Sequence, residues 1–240
     1  MTPAPSLSRL PDIEEDRGSA EPECSPNVRW QRSGLSRGQR WEALGRAGAT
    51  LWFTGLPAAG KSTIAGAVEE RLVDAGCPAF LLDGDNLRHG LNGDLGFDEE
   101  ARTENVRRTS HVARLLAESG SIAIVSLVSP YAADREAAAS LHAAGELPFL
   151  EIFVDAPLDL CQQRDPKGLY ARARSGELCD LTGVGSPYER PEHPALVISS
   201  GQESVQVAIE RVMRLLAARG LHPVRHQQSS NGSNGHRVTR

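Results

Sequence analysis

Gly55-Leu56-Pro57-Ala58-Ala59-Gly60-Lys61-Ser62 fits the spacing G-x-x-x-x-G-K-[ST], and the residues on either side leave few folds open to the chain. Before it, Thr50-Leu51-Trp52-Phe53-Thr54 is a β-branched and aromatic run of the length of a buried strand. After it, Ile64, Val68 and Leu72 recur every four residues, as one face of a helix does. The motif is therefore expected at a strand-to-helix turn. There Gly55 and Gly60 let backbone N–H groups approach phosphate oxygens, and the helix N-terminus adds partial positive charge. Lys61 is expected to reach the β and γ phosphates of ATP, with Leu56, Pro57, Ala58, Ala59 and Thr63 completing the cradle. The Ser62 hydroxyl is expected on a Mg2+ ion. The rival reading, a glycine-punctuated turn that binds nothing, does not account for the agreement of spacing and flanks.

The rest of the chain repeats strand and helix. Strands are predicted at 78–82, 122–128, 149–154 and 196–198, and helices at 99–118, 135–143, 158–164 and 204–219. This order predicts an α/β protein of the P-loop NTPase fold. Its five-stranded parallel sheet would carry helices on both faces, with a lid segment after the fourth strand. The ends differ: residues 1–38 are rich in Pro, Ser, Glu and Arg without periodicity, and 222–240 contain a Gln/Ser/Asn/Gly stretch with three histidines. Both are read as disordered tails around a kinase domain at 39–221. The apolar fraction of 40% suffices for a core, and the net charge of −5, with no basic patch interleaved with aromatics, speaks against a nucleic-acid partner. Cys24, Cys77, Cys161 and Cys179 form no C-x-x-C pair, which points to reduced thiols and the cytoplasm. No signal peptide is seen, and no apolar run is long enough to span a membrane.

Right-handed crossovers bring every strand's C-terminal end to one rim, where ligands bind in open α/β sheets. Asp83 and Asp85, around Gly84 at the second strand's end, can order Mg2+ waters or accept a proton from an attacking hydroxyl. Their alternative is a plain turn, since Asp-Gly and Asp-Asn favour turns. Ser129 would sit at the rim before Pro130, either as a site residue or as a helix N-cap. Arg164 and Lys167 open a cationic segment with a Gly/Pro hinge that continues to Arg172 and Arg174. Folded over the site, such cations meet a phosphoryl group where charge counts several-fold more than on an open surface. The competing reading is a solvated charged helix.

Taken in order, the P-loop and Asp83-Gly84-Asp85-Asn86-Leu87-Arg88-His89-Gly90-Leu91-Asn92 resemble the adenylylsulfate kinase family. So do Leu95-Gly96-Phe97, Arg102-Thr103-Glu104-Asn105-Val106-Arg107-Arg108, Ser129-Pro130-Tyr131, Phe153-Val154-Asp155 and Arg164-Asp165-Pro166-Lys167-Gly168-Leu169-Tyr170. The resemblance implies transfer of the ATP γ-phosphoryl group to the 3'-hydroxyl of adenosine 5'-phosphosulfate, a homodimer, and a sulfurylase as a partner. It also implies roles. Arg88, Arg102 and Asn105 match positions that hold the phosphosulfate substrate, and Phe97 matches an aromatic that stacks on its adenine. Asp83 and Asp85 match the acidic pair near the metal and the attacking hydroxyl, and Ser129 matches a serine described as a phosphorylated intermediate. Direct transfer between bound substrates needs no such intermediate, so a binding role for Ser129 is the more economical one.

The lid departs from the family pattern. Leu181-Thr182-Gly183-Val184-Gly185-Ser186 stands where the family usually has Phe-Thr-Gly, a hydrophobic residue, Asp and Ser. Leu127 also replaces a common Phe, and Cys179-Asp180 replace residues that are more often basic or small. A lost stacking wall at Leu181 is worth about 1 to 3 kcal/mol, roughly tenfold to a hundredfold in substrate affinity. Two alternatives stand beside this reading: a related kinase acting on another hydroxyl compound, and a nucleotide-binding subunit without turnover.

Overall fold

The computed structural model describes residues 29, 31 and 33–221. The chain divides into two units, 1–34 and 35–240, and the fold below belongs to the second. The expected tail at 222–240 lies outside the described residues, and so does that at 1–38 apart from residues 29, 31 and 33–38. Helix α1 (Arg37–Leu44) was not anticipated, and it spans the expected domain boundary at 38/39. Its start has a local cause: Ser36 and Gln39 satisfy each other's backbone N–H groups in a capping box.

Five parallel strands follow, β1 (Ala49–Thr54), β2 (Ala79–Asp83), β3 (Ile122–Ser126), β4 (Phe149–Asp155) and β5 (Leu196–Ser199), in the order β2-β3-β1-β4-β5. Between and after them run α2 (Lys61–Asp74), α3 (Gly84–Leu87), α4 (Glu99–Glu118), α5 (Ala132–Ala143), α6 (Leu158–Arg164), α7 (Leu169–Arg174) and α8 (Val205–Ala218). Side chains alternate across the sheet. On one face Leu51, Phe53, Ile122, Ile124, Leu150, Ile152 and Val154 pack with Ile64, Val68 and Leu72 of α2 and Val212 and Leu216 of α8. On the other, Trp52, Ala123 and Val125 meet Val106 and Ala113 of α4 and Ala138 of α5. Each fully buried Leu, Ile or Phe contributes roughly 1.5–3 kcal/mol, so the sheet's centre is a firm base for the loops above it. Among the described residues no helix is long and apolar enough to cross a membrane, and Cys77, Cys161 and Cys179 are free thiols.

Two boundaries differ from expectation near the rim. β3 ends at Ser126, two residues early, because Thr54 Oγ1 donates to the Val128 carbonyl at 2.7 Å and the chain then turns through Ser129 at φ +39°. α5 begins at Ala132, three residues early, its first amide bonded to the Glu189 carboxylate at 2.6 Å.

Candidate active site

All five strands end on a polar residue, Thr54, Asp83, Ser126, Asp155 and Ser199, and the parallel register sets Asp83 beside Ser126. A single cavity of about 810 Å3 opens over this rim.

The phosphate loop sits at one part of the cavity wall. Gly55 has φ +149°, and a Cβ there would lie 2.5 Å from the Val154 carbonyl oxygen, so the loop can leave β1 only through glycine. Gly60, at φ +104°, leads directly into α2. Ala58 holds φ +60°, a conformation that costs a non-glycine residue about 1–3 kcal/mol and that the surrounding loop must impose. Lys61 is 8% exposed, and its Nζ donates to the carbonyls of Gly55 (3.0 Å) and Leu56 (2.8 Å). Burial pulls its ammonium down to about 8, and the charge of Lys167 adds to the effect against the raising influence of Cys161 and Asp83. Pro57, Ala58, Gly60, Lys61, Ser62 and Thr63 line the cavity, whereas Gly55, Leu56 and Ala59 do not. Those three shape the loop from behind: the Ala59 carbonyl accepts from Arg164 Nη1 (3.2 Å) and Ser200 Oγ (2.6 Å).

The Ser62 hydroxyl donates to Asp83 Oδ2 at 2.6 Å and lies 3.1 Å from Ser126 Oγ. Asp83 Oδ1 accepts the Asp85 amide at 3.0 Å, capping α3, so the turn and the site are the same structure. Among the described residues no group of three or more His, Cys, Asp or Glu is arranged to hold a metal. One hydroxyl and one carboxylate, both hard oxygen donors, suit a Mg2+ ion that keeps its waters and takes phosphate oxygens.

The lid segment lies against this mouth. Lys167 forms an ion pair with Asp85, and the Tyr170 hydroxyl, buried, donates to the Pro57 carbonyl at 3.0 Å. Arg164 and Lys167 line the cavity as expected, and so does Arg172, which also pairs with Glu177 at 3.4 Å. Arg174 does not line it.

Phe97, Arg88, Arg102 and Asn105 line the cavity together. The Arg88 guanidinium lies 4.1 Å from the centre of the Phe97 ring, which is 58% exposed and so open to a stacking partner. Arg102 bonds to the Phe97 carbonyl (2.6 Å), the Thr182 hydroxyl (2.8 Å) and the Asp180 carbonyl (2.7 Å), tying that ring to the lid segment beside Leu181. Burial, and then the charge of Arg102, lowers the pKa of Arg88, and burial lowers that of Arg102. Two partly desolvated like charges are relieved by an anion. Asn105 Oδ1 accepts from Asn92 Nδ2 at 2.8 Å. Leu181 is 5% exposed, lines the cavity and also joins the core of the sheet, so it presents an edge rather than a free ring face. The Gly185 change has a steric cause: a Cβ there would lie 1.7 Å from the Cys179 carbonyl oxygen.

Ser129 is at the cavity wall, buried, and is not the N-cap of α5; Tyr131 is. Its Oγ accepts the indole N–H of Trp52 at 3.1 Å, which leaves its own proton to be donated. Reading the sequence missed Ser126, Trp52, Thr182 and Ser200 as participants. Ser200 alone carried a signal, a hydroxyl just past the strand predicted at 196–198; Ser126 fell inside the strand predicted at 122–128.

Fold and cavity together are those of a P-loop phosphotransferase. Residues 47–199 match the family described as Adenylylsulphate kinase. The chain belongs to that family. An adenylyl-sulfate kinase of Acaryochloris marina is 46% identical over 197 residues, 82% of this chain and 95% of the relative. One from Penicillium chrysogenum is 45% identical over 210 residues, 85% of this chain and all of the relative. The solved structure of the Mycobacterium tuberculosis APS kinase CysC in complex with AMPPNP and APS is similar at TM-score 0.70 and 49% identity. That match covers 72% of this chain and 99% of the solved one.

Proposed function

We propose that this chain transfers the γ-phosphoryl group of ATP to the 3'-hydroxyl of adenosine 5'-phosphosulfate, giving 3'-phosphoadenosine 5'-phosphosulfate and ADP. The observation that carries the reading is one cavity walled at once by Gly60–Thr63, by Asp83 and Asp85, and by the Arg88, Phe97, Arg102 and Asn105 group. A triphosphate fits the first set and an anionic nucleotide the last.

The residues divide the work. Lys61 exchanges its two carbonyl partners for phosphate oxygens, and Arg164 and Lys167 add charge from the lid side. Ser62 and Asp83 would hold a Mg2+ ion, which when bound would offset charge on the transferring group. Asp85 takes the proton of the acceptor hydroxyl once Lys167 has turned to the phosphates. Arg88, Arg102 and Asn105 hold the phosphosulfate, Phe97 stacks on the adenine, and Leu181 closes the opposite side by apolar contact. Ser129 donates a hydrogen bond to the acceptor; its neighbour is an indole donor rather than a base, which supports binding over nucleophilic attack. Transfer is then direct, by position and charge.

A cytoplasmic setting, a homodimer and a sulfurylase supplying the acceptor belong to the same proposal; the free thiols support the first. The test is ADP release by purified protein with ATP, Mg2+ and adenosine 5'-phosphosulfate. Release that stops on chelation of the divalent ion is the expected result. Release only with another alcohol assigns a different acceptor, and silence with every acceptor overturns the kinase reading.

A further inference from the structure

Arg135 is named by no part of the reading above and does not line the cavity, yet it is 4% exposed and each of its three guanidinium nitrogens donates a hydrogen bond. Nε donates to Glu151 Oε1 on β4 at 2.7 Å. Nη1 donates to the Ser129 carbonyl and Nη2 to the Glu189 carbonyl, each at 2.7 Å. The group also lies 5.8 Å from the centre of the Tyr188 ring. One planar fork thus spans a strand, the rim turn that carries Ser129, and the segment that follows the lid.

The same two segments are joined twice more. The Glu189 amide donates to the Pro130 carbonyl at 2.9 Å, and the Glu189 carboxylate accepts the Ala132 amide at 2.6 Å. Tyr188 adds a hydroxyl 3.0 Å from Thr54 Oγ1, which itself holds the Val128 carbonyl. Charge balance for Glu151 alone would need only a compact cation. The two remaining arms of Arg135 instead end on main-chain carbonyls of two different segments, Ser129 of the rim turn and Glu189 after the lid, a geometry that an ammonium does not reproduce.

We propose that Arg135 is a positioning residue. It holds Ser129 in its left-handed conformation, φ +39°, and couples that serine to the C-terminal anchor of the lid at Tyr188 and Glu189, so that lid and acceptor-side rim move as one body. The importance of the serine rests on the kinase reading above; the clamp itself does not.

Arg135→Ala strands the Glu151 carboxylate inside the protein, so the informative variant of the full chain is Arg135→Lys, which keeps a cation beside Glu151 and loses the fork. Three measurements are made: steady-state rates with ATP and adenosine 5'-phosphosulfate, the Kd of a non-hydrolysable ATP analogue, and backbone hydrogen exchange. Ser129 binds the acceptor rather than reacting, so displacing it costs about what one hydrogen bond is worth, roughly three- to tenfold in rate. The expected result is a kcat lowered about three- to tenfold, an analogue Kd within twofold of the parent, and exchange at the Ala132 and Glu189 amides accelerated at least tenfold. A kcat within twofold, unchanged exchange at those amides, or a rate loss matched by an equal loss of analogue affinity overturns the proposal. If the parent protein fails to turn over adenosine 5'-phosphosulfate, the kinase reading falls, and the exchange comparison still decides whether the clamp exists.

Discussion

Lys61 should take up a proton when ATP binds. Its ammonium titrates at about 8 rather than 10.5 because burial strips its hydration while only two carbonyls replace it. The difference, 10.5 − 8, corresponds to roughly 3 kcal/mol of penalty on the charged form. The sign for stability follows. The folded value lies below the unfolded one, so between about 8 and 10.5 the unfolded chain holds more protons, and the ligand-free protein gains stability as pH rises through that window. ATP works the other way, because phosphate oxygens favour the ammonium. Above its value of about 8 the free group is mostly unprotonated, and in the complex it is mostly protonated, so a substantial fraction of one proton enters per ATP bound. Affinity for ATP should therefore fall as pH rises above about 8. Calorimetric titration with a non-hydrolysable analogue in two buffers of different ionisation enthalpy reads the uptake directly. Lys61→Met should abolish both the uptake and the pH dependence. No uptake by the parent protein, or the same uptake by Lys61→Met, would refute the reasoning.

Further expectations concern the acceptor side and the lid. Ser129→Ala should keep substantial turnover at a stability cost of about 1–3 kcal/mol, since Trp52 Nε1 loses its acceptor in a buried place. Total loss of activity, with a phosphoserine found in the parent by mass spectrometry, would restore the covalent route. Leu181→Phe should lower the KM for adenosine 5'-phosphosulfate up to roughly tenfold by adding a stacking face; an unchanged or higher KM in initial-rate assays means that residue 181 does not face the adenine. Gly185→Ala places a methyl group 1.7 Å from the Cys179 carbonyl oxygen, so the lid turn must rebuild. Its kcat/KM for the acceptor should drop at least tenfold while the melting temperature of the sheet core holds, and parental kcat/KM would show that the turn is not needed closed.

The parts of the fold that answer to local pattern could be read from the chain alone. The helix predicted over 99–118 is found at Glu99–Glu118, with Asp98 capping it, because its signals are all in sequence neighbours. All five strands were legible for the same reason. α7 was not separated from the charged region, since Tyr170, the side chain that anchors it, finds its partner Pro57 113 residues away. The site divides along the same line. The motif glycines, Lys61, Ser62 and the Asp83–Asp85 pair announce themselves through spacing. Ser126 and Trp52 matter through contacts between elements far apart in the chain, Ser126 of β3 with Ser62 of α2 and Trp52 of β1 with Ser129 in the turn after β3, and one sequence does not state which elements are neighbours. Arg174 and Lys167 looked alike as cations in one segment; only the course of that segment distinguishes the residue that lines the cavity from the one that does not.

Each strand of the sheet turns from hydrocarbon to hydroxyl or carboxylate at its final position. Recognition and folding are thereby entrusted to different storeys of one building. Laboratory evolution could exchange the upper storey, one loop at a time, to admit other alcohols while the greasy floor beneath keeps the chain folded.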